Sequence, residues 1–148
     1  MNKDTRLSGV LHVLLHLSQV TVPLTSDALA KTMGTNGPVF RRTMAGLREA
    51  GYVTSEKGHG GGWKLARPLN EITLFDIYAA LGRPGLFAIG SRNEHSGCKI
   101  EQAVNVALSG TMAKAEEIFM ASFQDITLDR LMPARGSDPD MQCESHAI

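Results

Sequence analysis

A chain of 148 residues with 43% hydrophobic side chains is long enough for one buried core and little more. It has no apolar run near the roughly 20 residues of a membrane span, and its N-terminus interrupts the apolar residues with His12, His16 and Ser18, unlike a signal peptide, so a cytoplasmic protein with no membrane partner is expected. The net charge of zero argues by itself against a polyanionic partner, but residues 1–70 hold nine Lys/Arg against four Asp/Glu and the remainder six against eleven, a basic half followed by an acidic one.

In chain order, Leu7, Val10, Leu11, Leu14 and Leu17 form one stripe of a first helix, with Asp4 or Thr5 as its cap. His12 and His16 on that helix have the i, i+4 spacing of a metal clip. No carboxylate or cysteine is in register with them, so an ordinary helical face is expected. After Pro23 a short helix capped by Thr25 or Ser26 buries Leu29 and Met33 and stops at Gly34. Asn36 or Gly37 caps the next helix, with Pro38 in its first turn and Gly51 at its end. Phe40, Met44 and Leu47 point inward there, leaving Val39, Arg41, Arg42, Ala45 and Arg48 outward. Two short helices joined by a turn of about three residues, the second basic on its outer face, make a helix-turn-helix.

The run YVTSEKGHGGGWKLARP then reads as a hairpin, strand 52–56 and strand 63–66 around a glycine-rich tip. Gly58, Gly60, Gly61 and Gly62 permit positive φ and let the backbone approach a surface that side chains would hold away, while Trp63 anchors the hairpin to the helical core. Lys57, Lys64 and Arg67 flank the tip, where they can reach phosphates. Neither a P-loop nor a dinucleotide fingerprint fits, because the glycines lie between two strands rather than ahead of a helix.

Thr73 with Asp76 starts a further helix that buries Leu74, Ile77 and Leu81. An irregular linker, 83–98, follows. The longest helix spans about 100–123, with Ile100, Val104, Ala107, Leu108, Met112, Ala115, Ile118, Phe119 and Phe123 along one side. At about 1.5 Å per residue it is some 36 Å long, too long for the small winged domain to cover. A second copy of the chain is the expected partner. A last short helix starts near Thr127, and the tail 133–148 has no apolar period and is expected to be disordered. The fold class is therefore mostly α with a small β-hairpin wing: a winged helix-turn-helix domain over 1–82, then long dimerisation helices over 99–132.

The run LREAGYVTSEKGHGGGWKLARP followed by ITLFDIYAAL resembles the signature of the Rrf2 family of bacterial transcription regulators, over about residues 4–132. The resemblance implies a homodimeric repressor that binds double-stranded DNA at a palindromic operator. It implies a recognition helix at 38–50 that presents Thr35, Asn36, Pro38, Val39, Arg41 and Arg42 to the major groove. His59 and Gly60 at the wing tip would border the minor groove, with Lys57 and Lys64 beside them. Arg41 and Arg42 stand where family members often carry uncharged or acidic residues, so the operator sequence does not transfer.

Several members of the family hold an iron-sulphur cluster on three cysteines grouped at the start of the long helix. Here NEHSGCKIEQAV supplies Cys98 alone and Cys143 follows 45 residues later, so no cofactor is expected. Cys98 is instead a candidate redox sensor, ahead of a helix whose dipole favours the thiolate and beside Lys99 and His95. Its bland counterpart is an inert thiol at the dimer interface. A redox or small-molecule effector is the expected signal. No Ser-His-Asp order or paired carboxylates suggest catalysis, so the chain is not expected to be an enzyme. The rival function is a redox- or ligand-sensing protein whose winged domain binds another protein rather than DNA.

Overall fold

The computed structural model describes residues 3–133; the expected tail, apart from Pro133, and Cys143 lie outside the described residues. Helix α1 (Arg6–Leu17) buries Val10, Val13, Leu14 and Leu17, so the inward stripe is wider than the spacing of the leucines suggested. Helix α2 (Ser26–Met33) starts at Thr25, whose hydroxyl accepts from the Ala28 amide, and stops at left-handed Gly34. Helix α3 (Gly37–Glu49) starts at Asn36, whose side-chain oxygen accepts from the Val39 amide, with Pro38 in the first turn. Phe40, Met44 and Leu47 are fully buried in the core, where α3 packs on α2, as their spacing predicts.

Strands β1 (Val53–Glu56) and β2 (Gly62–Leu65) pair antiparallel, with Val53 opposite Leu65 and Glu56 opposite Gly62. Leu24 adds a short third rung, exchanging both backbone hydrogen bonds with Trp63 at 2.7 and 3.1 Å. Trp63 is buried, packs edge-on against Phe40 at 5.7 Å and donates its indole N–H to Ser26 Oγ at 2.9 Å. The indole therefore gains apolar cover and a partner for its one polar atom, and so fixes the hairpin to α2 and α3.

Helix α4 (Leu74–Ala80) opens with a reciprocal capping box between Thr73 and Asp76 and buries Leu74, Ile77 and Tyr78. Its C-terminal end comes so close to α3 that a Cβ on Gly46 would strike the Ala80 carbonyl. Only glycine admits that contact.

Helix α5 (Lys99–Asp125) has 27 residues and none of them is buried. Beyond it the chain returns to the winged domain. The Leu74 amide donates to the Ile126 carbonyl and the Leu128 amide to the Ile72 carbonyl, both at 2.9 Å, and Leu128 is fully buried in the core. The residues themselves do not announce this strap, because neither leucine of TLDRLM carries a sign of which core it enters. Among the described residues no helix is long and apolar enough to cross a membrane.

Candidate nucleic-acid interface

The buried triad on α3 decides what the rest of that helix presents. With Phe40, Met44 and Leu47 inward, a step of 100° per residue puts Pro38, Arg42 and Ala45 near the opposite side, with Arg41 and Arg48 on the flank nearer the hairpin. Pro38, Val39, Arg41 and Arg42 are exposed, Thr35 is half-buried, and Asn36 is exposed but already accepts the Val39 amide. Asn36 thus serves first as the cap that sets where the helix begins.

The two arginines differ. A Cβ on Gly37 would lie 3.2 Å from Arg41 Nη1 and 2.6 Å from Asp27 Oδ1, so the bare glycine leaves room for the guanidinium and the α2 carboxylate above the first turn of α3. Arg41 lines an open cleft of about 460 Å³ between α2, α3 and the hairpin, together with Arg48, Ser55, Lys57 and Gly58. Arg42 does not line this cleft. Arg48 is committed to the scaffold: its guanidinium sits over the Trp63 ring at 5.7 Å and donates to Ser55 Oγ at 3.1 Å, bracing helix against hairpin.

Lys57, His59, Gly60 and Lys64 are all exposed along the outer edge of the hairpin and its tip. Arg67 departs from expectation. It lies past the far end of β2, its guanidinium over the Tyr52 ring at 5.6 Å, and so braces the base of the hairpin. The four glycines also divide in two. Gly58 and Gly60 have φ of 94° and 77° with nothing within 4 Å of a would-be Cβ, so they shape an open tip. Gly61 and Gly62 are internal: a Cβ would strike the Glu56 carbonyl from the first and lie 2.5 Å from the Leu24 carbonyl from the second. Half of the glycine run thus serves the hairpin's own packing rather than approach to a partner.

The stripe on α5 separates into two. Phe123 packs edge-on against Tyr78 at 5.9 Å and is half-buried on its own domain. Asn105 and Gln102 donate to the carbonyls of Asn93 and Ser96 in the linker. Ile100, Val104 and Ile118 lie on an adjacent strip and are 78%, 50% and 76% exposed.

Cys98 is the exposed N-cap residue of α5. Its thiol closes no capping hydrogen bond of ordinary geometry, yet the amides of Glu101 and Ile100 lie near enough to hold its pKa below the usual thiol value. Lys99 and His95 do not contribute to that shift, so the polarity of the helix end acts through its amides. Trp63 borders a second open groove of about 470 Å³ with Val20, Val22 and Arg67, and Phe87 does not line it.

Residues 3–134 match the family model Rrf2, described as an iron-dependent transcriptional regulator. YwgB of Bacillus subtilis, named an HTH-type transcriptional regulator, is 28% identical over 144 residues, covering 96% of this chain and 91% of its own. The HTH-type transcriptional regulator IscR of Vibrio parahaemolyticus is 31% identical over 75 residues, 51% of this chain and 44% of its own. Among solved structures, a transcriptional regulator from Lactobacillus plantarum superposes with a TM-score of 0.70 at 22% identity, covering 86% of this chain and 87% of that one. CymR, described as the global cysteine regulator of B. subtilis, gives 0.61 at 19% identity, covering 88% and 95%. The iron of the family description calls for a ligand set that the described residues do not offer. No three His, Cys, Asp or Glu side chains among them are grouped to hold a metal ion, and Cys98 stands at its helix end as the one cysteine among them.

Proposed function

Because the chain belongs to the Rrf2 family of transcriptional regulators, which are DNA-binding proteins and not enzymes, we propose that it is a homodimeric repressor that occupies a palindromic operator. The observation that carries this is the cleft where Arg41 of α3 and Lys57 of the hairpin share one face, with Arg42 free on the outer side of the same helix. A helix of this width fits the major groove, and a glycine-tipped hairpin beside it fits the neighbouring backbone or minor groove. In this reading Pro38, Val39 and Arg42 meet base edges or phosphates, Thr35 and Asn36 sit at the helix entry, and Lys57, His59, Gly60 and Lys64 follow the backbone. The uncovered strip of α5 pairs with its copy, which doubles the basic surface about a two-fold axis. Cys98 at the start of the paired helices is the candidate redox sensor.

Operator binding measured by fluorescence anisotropy should weaken steeply with salt. If each subunit neutralises about four phosphates, log K falls against log salt with a slope near −7, at about 0.9 per phosphate. Failure to bind duplex DNA at physiological salt would hand the case to the protein-binding alternative. Arg42→Ala should weaken operator binding by about 1–3 kcal/mol if the guanidinium reads a guanine, and sedimentation should show an unchanged dimer. An affinity equal to that of the parent removes Arg42 from the contact surface.

A further inference from the structure

Gly37 opens α3 and yet is buried, and what covers it is charged: the atoms nearest the place of its missing Cβ are Asp27 Oδ1 at 2.6 Å and Arg41 Nη1 at 3.2 Å. Asp27 and Arg41 are both exposed, and both line the cleft between α2, α3 and the hairpin, together with Arg48, Glu56 and Lys57. Among the described residues a closed ion pair joins Arg6 to Asp4, whereas none joins Arg41 to Asp27. The carboxylate and the guanidinium therefore stand within the roughly 4–6 Å over which opposite charges bias one another, without the hydrogen bonds that would lock them. Any side chain at position 37 would press them apart.

A carboxylate is out of place on a surface that grips a polyanion, unless it selects which contact its neighbour makes. Arg41 can meet DNA on a phosphate or on a base edge. A phosphate at the guanidinium brings a negative charge close to Asp27, and two like charges about 6 Å apart cost about threefold in an equilibrium constant even in water. A guanine edge offers the same guanidinium two acceptors and no net charge, so it escapes that repulsion. Asp27 thus lowers affinity for DNA of any sequence and leaves a base contact unopposed. It also lies in the first turn of α2, where a negative charge suits the helix N-terminus. That second role touches stability and not sequence preference, so experiment can separate the two.

We propose that Asp27 is a specificity-determining residue of the DNA-facing surface, which acts through Arg41 by disfavouring phosphate at that guanidinium and leaving it to a base edge. The proposal rests on the reading of the chain as a binder of duplex DNA, and it brings into that surface an acidic residue of α2.

The test uses the full-length protein, a duplex that the parent selects from a random-sequence pool, and a scrambled duplex of the same length. Fluorescence anisotropy gives the ratio of the two affinities. Asp27→Asn should bind the scrambled duplex about three- to tenfold more tightly and the selected one within about twofold of the parent, so the ratio falls. On the scrambled duplex its log K should also drop more steeply with log salt, by about 0.9 per subunit, as Arg41 takes up a phosphate. Gly37→Ala keeps both charges and separates them, and should lower the ratio in the same direction. In an Arg41→Ala background, Asp27→Asn should leave the ratio where it is. A ratio lowered equally without Arg41, or an Asp27→Asn protein that melts earlier at an unchanged ratio, overturns the proposal, since the carboxylate would then act on the whole duplex or serve α2 alone. A parent that binds no duplex overturns the DNA reading and this assignment with it, whereas a parent that selects a sequence and shares its ratio with Asp27→Asn overturns this assignment alone.

Discussion

Val104→Asp combined with Ile118→Asp should convert the protein to a monomer and lower its affinity for a two-half-site operator by about 10²–10⁴-fold. Both side chains stand on the uncovered strip of α5, at 50% and 76% exposure, and neither touches the core of its own domain. In a two-fold pair each substitution appears twice, so four carboxylates would be taken out of water at a seam lined by apolar side chains. Dissociation separates the two basic surfaces, and each half-site must then be bound without the gain in effective concentration that a linked partner provides. The winged domain itself should melt almost as before, because exposed apolar-to-acid changes usually alter stability by less than about 0.5 kcal/mol. Analytical ultracentrifugation together with operator titration decides the matter. A variant that stays paired, or a monomer with the parent's affinity, would show that α5 is not what joins the subunits.

Gly62→Ala should be the most damaging single-methyl change in the hairpin, costing about 3 kcal/mol and lowering Tm by about 6–12 °C. The cause is twofold. Gly62 has φ of 145°, which an L-residue with a Cβ rarely adopts, and the added carbon would lie 2.5 Å from the Leu24 carbonyl and 2.7 Å from its carbon. Relief requires Leu24 and β2 to separate, which frees Trp63, the sole tryptophan in the chain, from its double backbone pairing. Its fluorescence should therefore shift to the red as the ring loses its place against Phe40. Gly60→Ala is the matched control. Its φ of 77° carries the left-handed cost of about 1–2 kcal/mol, but nothing lies within 4 Å of the new carbon, so the emission should stay where it is. Equal spectra for the two variants would show that the close approach of Leu24 is not what holds the tryptophan.

Much of this architecture is legible in the residues because local rules and burial agree there. Thr73 caps where its spacing places it, Thr25 and Asn36 cap where the sequence left a choice with Ser26 and Gly37, Gly34 stops α2, and Phe40, Met44 and Leu47 face inward as a 3.6-residue period requires. The hairpin is announced by its glycines and by β-forming residues on either side. What escapes is whatever depends on contacts between distant segments. The third rung at Leu24, the glycine at the crossing of α3 with α4, and the burial of Leu128 each join residues far apart in the chain, and no periodicity marks them. The same limit applies at the candidate interface. Composition shows a basic helix and a basic hairpin, but not that Arg48 and Arg67 are committed to aromatic rings while Arg42 is left clear. Nor does i, i+4 spacing reveal that His12 and His16 of α1 share a hydrogen bond between their Nε2 atoms, 3.0 Å apart.

The strap that follows α5 gives the long helix a fixed foot. Ile126 and Leu128 are bonded to the segment leading into α4, and the far end of α4 rests on bare backbone at Gly46, toward the C-terminal end of α3. In the proposed dimer, load applied along the outer strip of α5 would pass through that foot to α4 and from there to α3. Small adjustments in how the two copies of that dimer lean on each other would alter the spacing of the paired α3 helices, the quantity on which grip of a two-part target depends.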